Sequence, residues 1–363
     1  MSHRLGRSGP AVADGVSMRA LLLGIGLVLA GCRDQANGGG AGSRDQIKAV
    51  GSSTVYPFTT IVAEQFVGST ADARAPVIES TGTGAGMKLF CAGIGAGYPD
   101  IENASRRMTA AEYATCVRNG VRDVIEIQIG IDGIAFAESK RGPAMSLTPA
   151  DLYRALAAMP GGLANTARTW RDVNPALPAT AIQVYGPPAT SGTRDALTEL
   201  ILTPGCDASD PRAKTLVTTD PDAHKALCTR IREDGAYVDA GENDNLIVQK
   251  LASNPDAIGV FGYSYLEENA DAVNGVRIDG VAPSYATIAD NSYPGSRPLY
   301  IYVKKAHLTA IPGLRDFVKL YAKAWGPTGP LVRRGLIAAP EAVRARSAAI
   351  VARALPLDPL TLR

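Results

Sequence analysis

Histidine is scarce in this chain of 363 residues: only His3, His224 and His307 occur, and no two are neighbours in sequence. Metal sites and His-based acid–base catalysis both draw on that side chain, so both have little to work with. Aromatic residues make up 6%, and tryptophan is limited to Trp170 and Trp325, which argues against stacking platforms for sugars. An excess of one charge is also missing. Lys and Arg number 37 against 35 Asp and Glu, a formal +2, so no basic field exists to attract nucleic acid. No G-x-x-x-x-G-K-[ST] run is present, which excludes a nucleotide P-loop, and no G-x-S-x-G nucleophile elbow. What remains is a globular composition, 46% apolar and 20% charged with 38 Gly and 24 Pro, long enough for two domains.

Long apolar runs are confined to Ala20–Ala30, which follows Met18-Arg19 and precedes Gly31-Cys32. The run is too short to span a bilayer comfortably and has the size of a signal-peptide core. Leu29-Ala30-Gly31-Cys32 resembles a bacterial lipobox, which implies a signal peptide over 1–31 and lipid on Cys32. Asn37-Gly38-Gly39-Gly40-Ala41-Gly42-Ser43 then reads as part of a flexible tether, 32–46, holding an exported body near a membrane. Export places the other four cysteines in an oxidising compartment. Cys91 and Cys116 are 25 apart and Cys206 and Cys228 are 22 apart. Of the three pairings that four cysteines allow, these two local ones are favoured, each lying within one stretch of expected structure.

Short β runs alternate with amphipathic stretches, the pattern of an α/β protein. Strands are expected at 47–50, 77–80, 124–129, 133–136, 181–185, 258–261 and 299–303. In the third, Ile125, Ile127 and Ile129 share one face while Glu126 and Gln128 share the other. Helices are expected at 57–66, 87–93, 110–119, 149–159, 192–202, 245–253, 312–324 and 340–354. Gly241 to Asn245 reads as a turn and N-cap before one of them.

Three strand-to-helix turns are unusual in composition. They are Gly51-Ser52-Ser53-Thr54-Val55-Tyr56-Pro57, Ser80-Thr81-Gly82-Thr83-Gly84-Ala85-Gly86-Met87, and Gly186-Pro187-Pro188-Ala189-Thr190-Ser191-Gly192-Thr193-Arg194-Asp195. Each offers hydroxyls and backbone N–H groups at a helix N-terminus, where the macrodipole places roughly half a positive charge. Such a terminus suits an anion. In open α/β sheets these turns converge outside the carboxyl ends of the strands. The second turn fails the dinucleotide fingerprint, because Met87 stands where its third Gly belongs. Binding is better supported than turnover.

Together with Ala104-Ser105-Arg106, Ala257 to Tyr263, Tyr293-Pro294 and Arg297 to Val303, these runs resemble, in order, the PstS-like phosphate-binding proteins of Pst-type ABC importers. The resemblance covers roughly 47–354. It implies the two-lobed type II periplasmic-binding-protein fold, α/β, each lobe a mixed sheet flanked by helices and joined by crossover strands. The lobes would be 47–131 plus 290–363, and 132–289. It further implies that inorganic phosphate is enclosed between them, with no cofactor and no metal, for an ABC permease; the exported monomer would be held at the membrane by its lipid. By position the ligand set would be Ser53, Thr54, Val55, Thr83, Ser105, Ser191, Gly192 and Thr193, with Arg106 or Arg194 supplying a guanidinium.

Two departures stand out. Where the best-known members carry a carboxylate that accepts the proton of hydrogen phosphate, this chain has Arg106; where they carry an Arg before the Ser-Gly-Thr, it has Pro187. Glu79, Asp132 and Asp195 are nearby carboxylates. Alternative guests are sulfate, molybdate, a phosphonate or an amino acid, and a third reading is a secreted phosphate-ester hydrolase, which needs a nucleophile with its base or a two-metal cluster.

Overall fold

The computed structural model describes residues 44–70, 73–241 and 243–362. The expected signal peptide, Cys32 and most of the expected tether lie outside them. Among the described residues no helix is long and apolar enough to cross a membrane.

The strands are β1 (Lys48–Gly51), β2 (Val77–Ser80), β3 (Ile101–Ala104), β4 (Val124–Ser139), β5 (Ser146–Leu147), β6 (Val184–Gly186), β7 (Tyr237–Asp239), β8 (Ile258–Gly262), β9 (Val273–Gly275), β10 (Arg277–Ile278) and β11 (Ser296–Lys304). Nine of them form one sheet in the order β2-β1-β3-β11-β4-β8-β6-β7, with β9 also pairing with β4. β5 and β10 make a separate parallel pair.

The two strands expected at 124–129 and 133–136 are one, β4, sixteen residues long. Its first part pairs antiparallel with β11, and residues 134–138 pair with β8, so a single strand belongs to both halves of the sheet. Gly130 and Gly133 interrupt the expected pattern for a steric reason. A Cβ at Gly130 would lie 2.6 Å from the Leu336 side chain, and one at Gly133 2.9 Å from Ile337 Cδ1. The chain at 336–337 can lie against β4 only because those side chains are missing.

Apolar side chains collect in separate cores on the two halves. One gathers Phe136, Trp170, Val184, Ile258 and Phe261. The other gathers Phe58, Phe66, the alternating Ile125, Ile127 and Ile129, Ile301, Phe317 and Tyr321, with Phe66 and Phe317 edge to face at 5.6 Å. The helix expected at 192–202 is α-helical only over Gly192–Ala196. It opens into a π turn at Leu197–Leu202 and resumes at Thr203–Ser209. Pro204 accounts for the change of register, since it has no N–H to donate back along a regular helix. Asn243 caps the helix Asp244–Ser253 by accepting from Asn245 N at 3.1 Å.

Both local disulfides are present, Cys91–Cys116 and Cys206–Cys228. The first joins the end of the helix Thr83–Phe90 to the helix Ala110–Arg118. Closing a loop of 25 residues stabilises by about 3 kcal/mol through the unfolded state. The double variant Cys91→Ala/Cys116→Ala is therefore expected to lose about that much in urea denaturation. A loss under about 1 kcal/mol would show that the bridge adds little to what packing already provides.

Candidate functional site

β1, β2 and β3 run parallel, so the turns that follow Gly51, Ser80 and Ala104 leave the same edge of their half-sheet. The turn after Gly186 leaves the end of β6, which is parallel to β7 and β8 in the other half. A Cβ on Gly192 would stand 3.5 Å from Thr54 Cα, so the first and third turns face each other directly. The turns after Ser80 and Ala104 meet as well: Thr83 Oγ1 lies 3.0 Å from Ser105 Oγ and accepts from Ser105 N at 3.0 Å.

Local bonds shape each turn. Ser52 Oγ accepts from Thr54 N at 3.1 Å and Val55 N at 3.3 Å, bending the chain into the helix Tyr56–Ser69. That helix is tied to β3 by Thr59 Oγ1, which donates to Asn103 Oδ1 at 2.8 Å and accepts from Tyr321 Oη at 2.6 Å. Ser191 Oγ caps the helix Gly192–Ala196 by accepting from Thr193 N at 3.3 Å. Thr81 N and Gly82 N both donate to Gly51 O at 2.8 Å, joining the second turn to the first.

Between the facing turns lies a charged group that reading the loops did not single out. Arg297, 6% exposed, stands on β11 opposite Asp132 of β4, where the two halves of the sheet meet. Its guanidinium donates to Asp132 Oδ2 at 3.1 Å, to Thr54 Oγ1 at 2.9 Å and to Glu199 Oε2. Burial works against its charge, and the carboxylates of Asp132 and Glu199 outweigh that, so its pKa is raised. Burial likewise raises Asp132 even though Arg297 pulls it down. Across the cleft Ser53 Oγ donates to Asp195 Oδ2 at 2.5 Å. The signal for Arg297 was a lone cation at the head of an apolar strand, within the run Arg297 to Val303.

The two arginines expected from sequence are otherwise engaged. Arg106 forms a two-pronged bond to Glu112, at 2.9 and 2.7 Å, and is 45% exposed. Glu112 is held there because it also closes the capping box with Thr109. Arg194 lies over the Tyr237 ring at 4.2 Å and donates to Pro187 O at 3.3 Å. Of the carboxylates near the turns, Glu79 pairs with Lys48 at 3.1 Å, Asp132 with Arg297, and Asp195 takes the Ser53 hydroxyl.

Beneath the turns sits Glu102, fully buried on β3, with neither carboxylate oxygen bonded. Burial, with the nearby Glu112 adding to it and Arg106 opposing, pushes its pKa up to about 10. It is therefore a neutral acid at ordinary pH. The glycines of the first two turns make room for it. A Cβ at Gly86 would meet Glu102 Oε2 at 2.3 Å, and one at Gly51, where φ is +125°, would meet Glu102 Oε1 at 2.7 Å.

His224 bonds Asp207 at 2.7 Å, and His307 bonds the buried Asp100 at 2.6 Å. Cys228, which lies close to His224 and Asp207, is committed to its disulfide, so this group offers no free thiolate to a metal.

Two sheet halves sharing one long strand, with hydroxyl-rich helix starts facing one another across the junction, define a two-lobed solute-binding protein. The chain belongs to the PBP superfamily, whose domain model matches residues 36–324. Among curated proteins it is 31% identical over 290 residues to protein SphX of Synechococcus elongatus, covering 78% of this chain and 75% of that one. It is 28% identical over 302 residues to the phosphate-binding protein PstS of Staphylococcus saprophyticus, covering 82% of each. Among solved structures, one described as a possible phosphate binding protein from Planctomyces limnophilus superposes with a TM-score of 0.70 at 30% identity, covering 85% of this chain and 98% of that one.

Proposed function

We propose that this chain captures inorganic phosphate between two lobes, 47–131 with 290–363 and 132–289, and delivers it to an ABC importer while anchored through lipid on Cys32. The observation that carries the reading is the convergence of Ser53, Thr54 and Gly192 around a buried, charged Arg297, with Thr83 and Ser105 joined beside them. Hydroxyls and helix-start amides supply neutral donors, and the guanidinium fork supplies a charge suited to a tetrahedral oxyanion. In this reading Arg297 provides the cation expected of Arg106 or Arg194. The relatives named for phosphate binding support the choice of anion.

Asp195 is the carboxylate best placed to accept a proton from hydrogen phosphate, because it already accepts one hydroxyl bond inside the cleft. Fully ionised sulfate has no proton to give, and would set two like charges together there. Equilibrium dialysis with labelled phosphate is expected to show saturable binding that a hundredfold excess of sulfate leaves largely intact. Equal displacement by sulfate would reduce the reading to a general oxyanion receptor, and absence of any phosphate binding would end it.

A further inference from the structure

The Glu126 and Gln128 face of β4 has no part in the anion site. In the ladder between β4 and β11, Gln128 stands opposite Tyr300 and Glu126 opposite Tyr302, so all four side chains leave the same side of the sheet. Glu126 is satisfied there: Arg107 donates to it at 2.8 to 3.0 Å through three contacts, and Tyr302 Oη at 2.9 Å. Gln128 is different. Among the described residues neither its side-chain amide nor the Tyr300 hydroxyl has a hydrogen-bond partner, and Arg346 has no ion pair.

These three groups line one cavity of about 500 Å³, open to solvent on one side and bordered by the helix Glu341–Arg353 and the returning chain after it. That chain is pinned by Leu357 N donating to Val124 O at 2.7 Å and by Arg107 donating to Thr361 O at 2.7 Å. The remaining wall is largely apolar, with Val343, Ile350 and Leu355. Of the two carboxylates on the wall, Glu126 is paired as described, and Asp358, exposed at the rim, accepts from Leu360 N at 3.0 Å. A half-open cleft of this size, with a largely apolar floor, Gln128 and Tyr300 unbonded along it and the exposed Arg346 at its rim, has the make-up of a small-molecule site. The groups left over are one cation and two potential donors.

We propose that this cavity is a second binding site, separate from the inter-lobe cleft, for a small amphipathic carboxylate. Its head group bonds Arg346, Gln128 and Tyr300, and its tail lies along Ile350 and Leu355. The test is calorimetric titration of the full chain with octanoate, and with octylamine, which has the same tail and the opposite charge. Octanoate is expected to bind one equivalent whether or not phosphate is present, and octylamine is not. Arg346→Ala should weaken octanoate at least tenfold, and Val343→Trp, which fills the cavity, should abolish binding, each with the melting temperature and phosphate affinity kept. No saturable heat with octanoate, equal binding of octylamine, or unchanged affinity in both variants would overturn the proposal.

Discussion

Arg297→Ala is expected to weaken phosphate binding at least about a hundredfold, roughly 2.7 kcal/mol, measured by calorimetry on the folded variant. The size follows from position. Hydrogen bonds to charged groups contribute about 1.5–3 kcal/mol each, and a guanidinium buried beside a ligand makes more than one. Alanine would also leave Asp132 buried without the cation that opposes its burial, which pushes that carboxyl further toward its neutral form and costs stability. Arg297→Lys separates the two effects. It keeps the charge against Asp132 and loses the planar fork, so it should recover stability but only part of the affinity. If Arg297→Ala folds and binds phosphate within about threefold of the parent chain, the guanidinium does not serve the ligand, whatever it does for the hinge.

The second large effect concerns stability. Glu102→Gln is expected to raise the unfolding free energy at pH 8 by on the order of 2 kcal/mol or more, with the gain shrinking as pH falls toward the ordinary glutamate value. The folded-state pKa of Glu102 is raised from 4.5 to about 10. Between those values the unfolded chain has released the proton and the folded chain still holds it. Stability contributed by the protonated form is therefore complete below about pH 4.5 and is lost as pH climbs toward 10. Glutamine has the same shape and cannot ionise, so that slope disappears. Urea denaturation of both chains from pH 5 to 9 measures it. Parallel curves would mean that Glu102 has a partner, or is charged, in the folded protein.

Much of the architecture could be read from patterns that are local in the chain. Apolar alternation marked the first part of β4, and the cysteines paired within their own segments. β3 carries no local signature, since Ile101-Glu102-Asn103-Ala104 has neither an apolar run nor an alternation. All four residues are nonetheless buried, Glu102 by staying neutral and Asn103 by bonding Thr59. The same limit applies to the cation of the site. Arg106 stands at the family's carboxylate position after Ala104-Ser105, and Glu112, six residues on, takes its guanidinium. Arg297 reaches Thr54 from 243 residues away through strand pairing, which no window of sequence displays. The three hydroxyl-rich turns were legible because capping is local chemistry; how they face one another was not.

The position of β11 bears on how the molecule is assembled. It lies between β3 and β4, yet it is the last strand to leave the ribosome. Until residues 296–304 arrive, β3 and β4 have an empty lane between them, and Ile125 and Ile127 lack Val303 and Ile301 beside them. The amino-terminal half therefore cannot settle into its final form until nearly all of the chain has been made.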